Sequence, residues 1–213
     1  MTSSDSLPTR GRPRTQDAAS RRQSIIESAY RAFVELGFAS TSTAEVARRA
    51  KVSKRTLYEV FSDKQALFAA VISEHRHLLL DLPRPKDEVC ALDECLFRIF
   101  RLDISEEESQ EREAILRLMT RESILFPELS DYLYETRAVS SRELLMDWLV
   151  STASTKNLPL DDVEICAGML MDVVFGALLP HRRVEDSKQK KAITAHIKRR
   201  IQITLCGMAW LPT

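Results

Sequence analysis

Residues Ser42 to Phe61 read STAEVARRAKVSKRTLYEVF. Ser42 and Glu45 make the Ser-x-x-Glu pattern of a capping box, so a short helix opens here with Val46, Ala47 and Ala50 on one face. Lys51-Val52-Ser53 is a turn, and Ser53 is a good N-cap for a second short helix carrying Leu57, Tyr58 and Phe61. Two capped helices of about two turns around so short a connection have the spacing of a helix-turn-helix, whose second helix enters the major groove of DNA. Val46, Ala47, Val52 and Leu57 face inward, and Lys54, Arg55 and Thr56 occupy the first turn of the second helix, the end that meets base edges.

Two such helices cannot bury their own apolar faces, so the flanking segments must close the core. Upstream, Ile25, Ile26, Ala29, Phe33 and Leu36 recur at spacings of three and four, and Gly37 supplies a stop. Downstream, Ser62-x-x-Gln65 reads as another box opening a helix through Leu67, Phe68, Val71, Ile72 and His75, expected to end at Leu82-Pro83. The remainder is also helical: Asp87 to Phe100, a helix from the box Ser105-x-x-Glu108 through Ile115, Leu116, Leu118 and Met119, and one long helix from Pro127 past Trp148. Asp161 to Leu179 and Ser187 to Trp210 complete about nine helices of an all-α protein.

The 213 residues carry 31 Lys+Arg and 31 Asp+Glu, but the zero total conceals a segregation. Residues 1–64 hold 12 basic and 7 acidic side chains, and residues 65–213 hold 19 basic and 24 acidic ones. A basic head on an acidic body is the asymmetry of a nucleic-acid-binding module attached to a partner with other duties. Five glycines argue against a Gly-rich nucleotide loop, a sandwich or a barrel. The apolar run from Ile165 to Leu179 contains Asp172 and is too short to span a bilayer, so no membrane partner is expected. Cys90, Cys95, Cys166 and Cys206 form no CxxC, and are expected as free thiols of a reduced, cytoplasmic protein. There is no G-x-S-x-G or HExxH, and the four histidines make no triad, so an enzyme is not expected. His75, His77, Cys90 and Cys95 are the only metal-ligand set worth weighing. Two histidines two apart on a helix point to different faces, so no metal or cofactor is expected.

From about Arg21 to Leu78 these residues resemble the DNA-binding domain of the TetR family of transcriptional regulators. The resemblance rests on Ile25, Ala29 and Phe33 ahead of Gly37-Phe38, on Ser42-Thr43, Val46-Ala47 and Val52-Ser53, and on Thr56-Leu57-Tyr58, Phe61 and Ser62-Asp63-Lys64 with Leu67. Lys51 and Arg55 depart from it, both being often glycine in the family. The resemblance implies a disordered basic arm (residues 1–19), a DNA-binding domain (20–80, with the motif at 42–61) and an effector-binding and dimerisation domain (81–213). It further implies that Thr43, Tyr58 and Lys64 hold backbone phosphates, while Lys54, Arg55 and Thr56 face the major groove, arginine being suited to guanine. In the arm, Arg10-Gly11-Arg12-Pro13-Arg14 looks like an AT-hook core for a narrow minor groove.

The stretch Arg117 to Glu135 is similar to the body of AcrR-type regulators. Family layout implies that the last two helices pack on a symmetry mate, with Ile165, Met169, Val173, Ile197, Ile201 and Leu205 as interface candidates. It also implies an effector pocket, for which Met119, Ser123, Phe126, Trp148, Met169 and Asp172 are candidates. The function so implied is a dimeric, ligand-responsive regulator, in the repressor mode, that binds a palindromic operator and releases it when a small-molecule effector binds. A ligand-free architectural DNA binder is the alternative, supported by the arm.

Overall fold

The computed structural model describes residues 14–85, 88–178 and 187–211. Among them are ten α-helices and one 3-10 turn: α1 (Arg14–Ser40), α2 (Thr43–Arg49), α3 (Lys54–Val60), α4 (Lys64–His75), the turn Arg76–Leu78, α5 (Leu92–Ile99), α6 (Glu106–Leu125), α7 (Pro127–Glu135), α8 (Ser141–Lys156), α9 (Val163–Leu178) and α10 (Ser187–Gly207). The chain divides into two compact units, up to Val71 and from Ile72 onward. The division falls inside α4.

In the first unit α1 begins at Arg14, so the last part of the expected arm is helical. Gly37 breaks α1 with φ 82° and ψ 166°, a conformation that strains any side chain, and one further turn follows it. Buried Thr41 closes that turn, its hydroxyl 2.7 Å from the Gly37 carbonyl and 3.1 Å from that of Ala32. Phe33, Phe38 and Phe68 make a three-ring cluster, with centroids 5.1 to 5.9 Å apart. Ile25, Ile26, Ala29, Val46, Ala47, Leu57 and Leu67 of the same unit are also buried.

In the second unit α9 packs against α8 and α10, α10 also meets α5, and α6 meets α7 and the 3-10 turn. The core joins Leu96, Ile99 and Phe100 to Leu145, Leu149, Leu170 and Val174, and to Ile197, Ile201, Leu205 and Trp210. Trp210 donates its indole N–H to the Pro159 carbonyl at 2.7 Å and leans on Trp148. No helix among the described residues is long and apolar enough to cross a membrane.

Four local expectations are corrected. The long helix expected from Pro127 is two, α7 and α8, broken at Arg137, which takes the left-handed conformation (φ 54°). That makes ten helices among the described residues where about nine were expected. The helix after the recognition helix tightens into a 3-10 turn after His75, short of Leu82. Its cap is Asp63, whose carboxylate accepts from the Ala66 N–H at 2.7 Å, and not Ser62. The segment expected to be helical from Asp87 begins its helix only at Leu92. The scarcity of glycine has a visible consequence, because Lys51, Arg101, Arg137, Asn157 and Ala209 all take positive φ just after helices end. Such non-glycine residues carry strain of about 1–3 kcal/mol apiece.

The cysteine expectation is also corrected, since Cys90 and Cys95 are joined in a disulfide with Cα atoms 5.9 Å apart. Cys90 lies just ahead of α5 and Cys95 in its first turn, and that bend brings them together. Cys166 and Cys206 are not joined in a disulfide. Beside the bridge, the Glu88 carboxylate is held by the guanidinium groups of Arg84 and Arg98. These hold its pKa down at about 2 against an ordinary 4.5, through hydrogen bonds first and charge second. A carboxylate with a lowered folded-state pKa stabilises the fold above its ordinary value, and that stability is lost as pH falls from 4.5 toward 2. Glu88→Gln is expected to flatten the acid-induced fall in melting temperature across that window. An unchanged pH profile would show that the pairing contributes nothing.

Candidate nucleic-acid interface

The α2–α3 pair is built by its caps. Ser42 Oγ accepts from the Glu45 N–H at 3.1 Å, and Ser53 Oγ accepts from the Thr56 N–H at 3.0 Å. Between them Lys51 turns the chain with φ 55°, so the departure from glycine is accommodated in the left-handed region. Leu57 and Val46 are fully buried beneath, which fixes α3 on α2. The opposite side of the first turn of α3 is open, with Lys54 and Arg55 exposed and Thr56 half-buried. Thr56 Oγ1 lies 2.8 Å from Ser53 Oγ, within the cap itself.

The charges differ in availability. Glu45 clamps Arg48 and Arg49 at 2.7 Å each, and Arg49 also meets Glu35 at 2.6 Å. Hydrogen bonds from Arg48 and Arg49 hold the Glu45 pKa at about 2, so this clamp stays ionised over the whole physiological range. Arg55 has an exposed partner, Glu59, at 3.1 Å. An exposed pair of that kind is worth at most about 1 kcal/mol and yields readily to a phosphate or a base. The Lys51 and Lys54 side chains are exposed, and their ammonium groups make no hydrogen bond or ion pair among the described residues. Lys64 points its ammonium at the Phe38 carbonyl (2.8 Å) and over the Phe38 ring, which ties α4 to the end of α1. Thr43, at the start of α2, and Tyr58, on α3, share a hydroxyl–hydroxyl contact of 3.0 Å. The structure thus brings Thr43 and Tyr58 together and sets Lys54 and Arg55 beside them in sequence on α3. Arg10 and Arg12 lie outside the described residues, and Arg14 is the first residue of α1.

A model of the bacterial regulatory proteins of the TetR family matches residues 25–71, and a model of the AefR-like transcriptional repressor C-terminal domain matches residues 98–207. The chain belongs to the TetR family. It is 26% identical over 163 residues to the HTH-type transcriptional regulator YvkB of Bacillus subtilis, covering 74% of this chain and 80% of that one. It is 34% identical over 98 residues to the HTH-type transcriptional regulator AcrR of Shigella flexneri, covering 43% of this chain and 46% of that one. Among solved structures, the flavonoid-responsive regulator FrrA aligns with a TM-score of 0.59 at 26% identity, covering 89% of this chain and 97% of that one. This TetR-family chain is accordingly a DNA-binding transcriptional regulator with an N-terminal helix-turn-helix domain and a C-terminal helical domain.

In the C-terminal unit the structure redistributes the candidates. Ile197, Ile201 and Leu205 are buried in the protomer's own core, so their stripe is unavailable to a second copy. Ile165 and Met169 are instead 59% and 50% exposed on α9, Val173 is half-buried, and Asp172 is exposed. On α10 the outward residues include His196, Arg199 and Ile203, which the apolar stripe did not single out. Met119, Ser123, Phe126 and Trp148 are half-buried, but Trp148 turns to Trp210, and Met169 and Asp172 lie outward. A cleft of about 570 Å³ opens elsewhere, lined by Ser105, Ser109, Arg112, Lys191, Thr194 and Lys198 among others. Potential metal ligands within 4.8 Å of one another are Glu88, Cys90 and Cys95, and the two sulfurs are already bonded to each other. His75 and His77 stack at 6.5 Å, because the 3-10 turn brings together rings that a regular helix would separate.

Proposed function

We propose that this regulator acts as a homodimeric repressor on a palindromic operator and is released by a small-molecule effector bound in its C-terminal unit. The observation that carries the reading is the first turn of α3, where Lys54 and Arg55 project from a helix fixed by Ser53 and Leu57. Arg55 reads a base edge, Lys54 meets a phosphate or base, and Thr43, Tyr58 and Lys64 hold the backbone. Paired recognition helices about 34–36 Å apart would read half-sites one helical turn apart. The family's usual dimeric, ligand-responsive mode supports the rest, as does the outward apolar face of α9. Of the effector candidates, Met119, Ser123 and Phe126 stay with the pocket, and Met169 with Ile165 belongs to the dimer face. A regulator of this kind works on DNA in the cytoplasm.

Selection of bound sequences from a random DNA pool tests this with the full-length chain. A palindrome with half-sites one turn apart is the expected product, while enrichment of no sequence, with steeply salt-dependent binding, would leave an architectural binder. On the selected operator, Arg55→Ala is expected to weaken binding by about 1–3 kcal/mol and to relax preference at one base position in each half-site. Lys54→Ala, if it meets phosphate, is expected to weaken all sequences alike and to lower the salt slope by about 1 for each phosphate that is no longer neutralised. Binding by Arg55→Ala to operators substituted one position at a time decides the arginine's role. Equal affinity for all four bases at one position would show that this side chain reads a base there; unchanged preference everywhere would show that it does not.

A further inference from the structure

We infer that Cys90 and Cys95 form a reversible redox couple, a modification site at which hydroperoxides oxidise the dithiol and small thiols restore it. Their Cα separation of 5.9 Å lies in the range a disulfide needs, and the residues sit five apart across the start of α5. Bridge formation therefore needs no long-range rearrangement. A bacterial DNA-binding regulator works among reducing thiols, where lasting structural disulfides are rare and those that form are ordinarily transient and redox-sensing. This inference rests on the chain being such a regulator, and not on its operator or effector.

The two sulfurs are differently placed. Cys90 is half-buried, next to Val89, which is 98% exposed, whereas Cys95 is 7% exposed. Cys90 is the attacking thiol and Cys95 the resolving one. The Cys90 thiolate attacks the outer oxygen of a hydroperoxide, the O–O bond breaks, and an alcohol leaves, giving the sulfenic acid. The Cys95 thiol then attacks that sulfur and displaces hydroxide, which takes up the released proton as water. In sum, two thiols and one hydroperoxide become a disulfide, an alcohol and water. Exchange with a small thiol returns both sulfurs to the reduced state and yields the oxidised small thiol.

The surroundings favour this chemistry over a metal. Among the described residues, the carboxylate grouped with the sulfurs is Glu88, which is covered by Arg84 and Arg98, so its charge is neutralised and guanidinium groups stand nearby. A cation would have to displace both arginines to use it. The other cysteines offer no equivalent pair. Cys166 donates its thiol toward the Asp161 carbonyl at 3.5 Å, and burial, with Asp162 and Asp161 beside it, pushes its pKa up, away from the reactive thiolate.

The test uses the reduced full-length protein treated with one equivalent of cumene hydroperoxide and then with glutathione. Accessible thiols counted under denaturing conditions are expected to fall from four to two, with a Cys90–Cys95 cross-link in the peptide map, and to return to four with glutathione. Cys90→Ser should prevent the cross-link, and the Cys166→Ser/Cys206→Ser double variant should keep it. Four thiols after peroxide, a cross-link through Cys166 or Cys206, or a bridge that glutathione leaves intact would each overturn the inference. So would stoichiometric zinc that binds the reduced pair and protects it from peroxide. None of these readouts needs operator DNA, so a failure here is separate from a failure of the repressor reading.

Discussion

Phe33→Ala is expected to destabilise the DNA-binding unit by about 3–5 kcal/mol and, with it, to weaken operator binding steeply near growth temperature. Phe33 has no exposed surface, and its ring lies 5.1 Å from Phe68 and 5.9 Å from Phe38. Truncation removes one member of a mutually packed cluster on which α1 and α4 meet, and neighbouring rings of fixed geometry collapse poorly into the space left. Domains of this size are stable by only about 5–15 kcal/mol, so the loss converts a small unfolded fraction into a substantial one. Urea unfolding followed by circular dichroism measures the first effect and operator titration at two temperatures the second. Binding that weakens equally at low and high temperature, with unchanged unfolding, would show that the ring cluster does not support α3.

The second large effect separates two faces of the body that share a periodicity. Ile201→Ala is expected to cost about 2–5 kcal/mol of protomer stability, because Ile201 is fully buried among α5, α9 and α10 residues. Met169→Glu is expected to leave protomer stability nearly unchanged and to shift the protein from dimer to monomer, because Met169 is half exposed on the apolar outer side of α9. A charge placed in the middle of a self-complementary interface meets its own copy across the two-fold axis. Sedimentation at several concentrations, paired with thermal unfolding, distinguishes the variants. If Met169→Glu remains dimeric, the α9 face is not the interface.

The same contrast shows where the sequence stopped being informative. Spacing at three and four residues showed that Ile197, Ile201 and Leu205 share a face, but not what that face meets, because core and interface have the same apolar chemistry. Helix starts were legible wherever a serine side chain had an N–H to accept from, as at Ser42, Ser53 and Ser105. The gap between α7 and α8 was not, because Arg137 takes a conformation usually signalled by glycine or asparagine. The exposure of Lys54 and Arg55 on α3 was readable because a short helix with one buried face leaves few choices for the other. Their pairings were partly readable too: Arg55 and Glu59 stand four apart, and Glu45 precedes Arg48 and Arg49 by three and four. The Glu35–Arg49 pair spans fourteen residues and needed the fold. The Cys90–Cys95 bridge needed the turn ahead of α5, which five-residue spacing alone does not announce.

The 3.0 Å contact between Thr43 and Tyr58 has a consequence in proton counting. Two hydroxyls bring two protons, and their mutual hydrogen bond uses one. The other stays free on whichever oxygen accepts, and accepting a bond makes that group a stronger donor. In the proposed contact with DNA the pair would therefore offer a phosphate a single polarised O–H, from two helices joined by the bond behind it. Tyr58→Phe would leave the ring and the packing in place and is expected to weaken the phosphate contact proposed for Thr43, although the threonine itself is untouched.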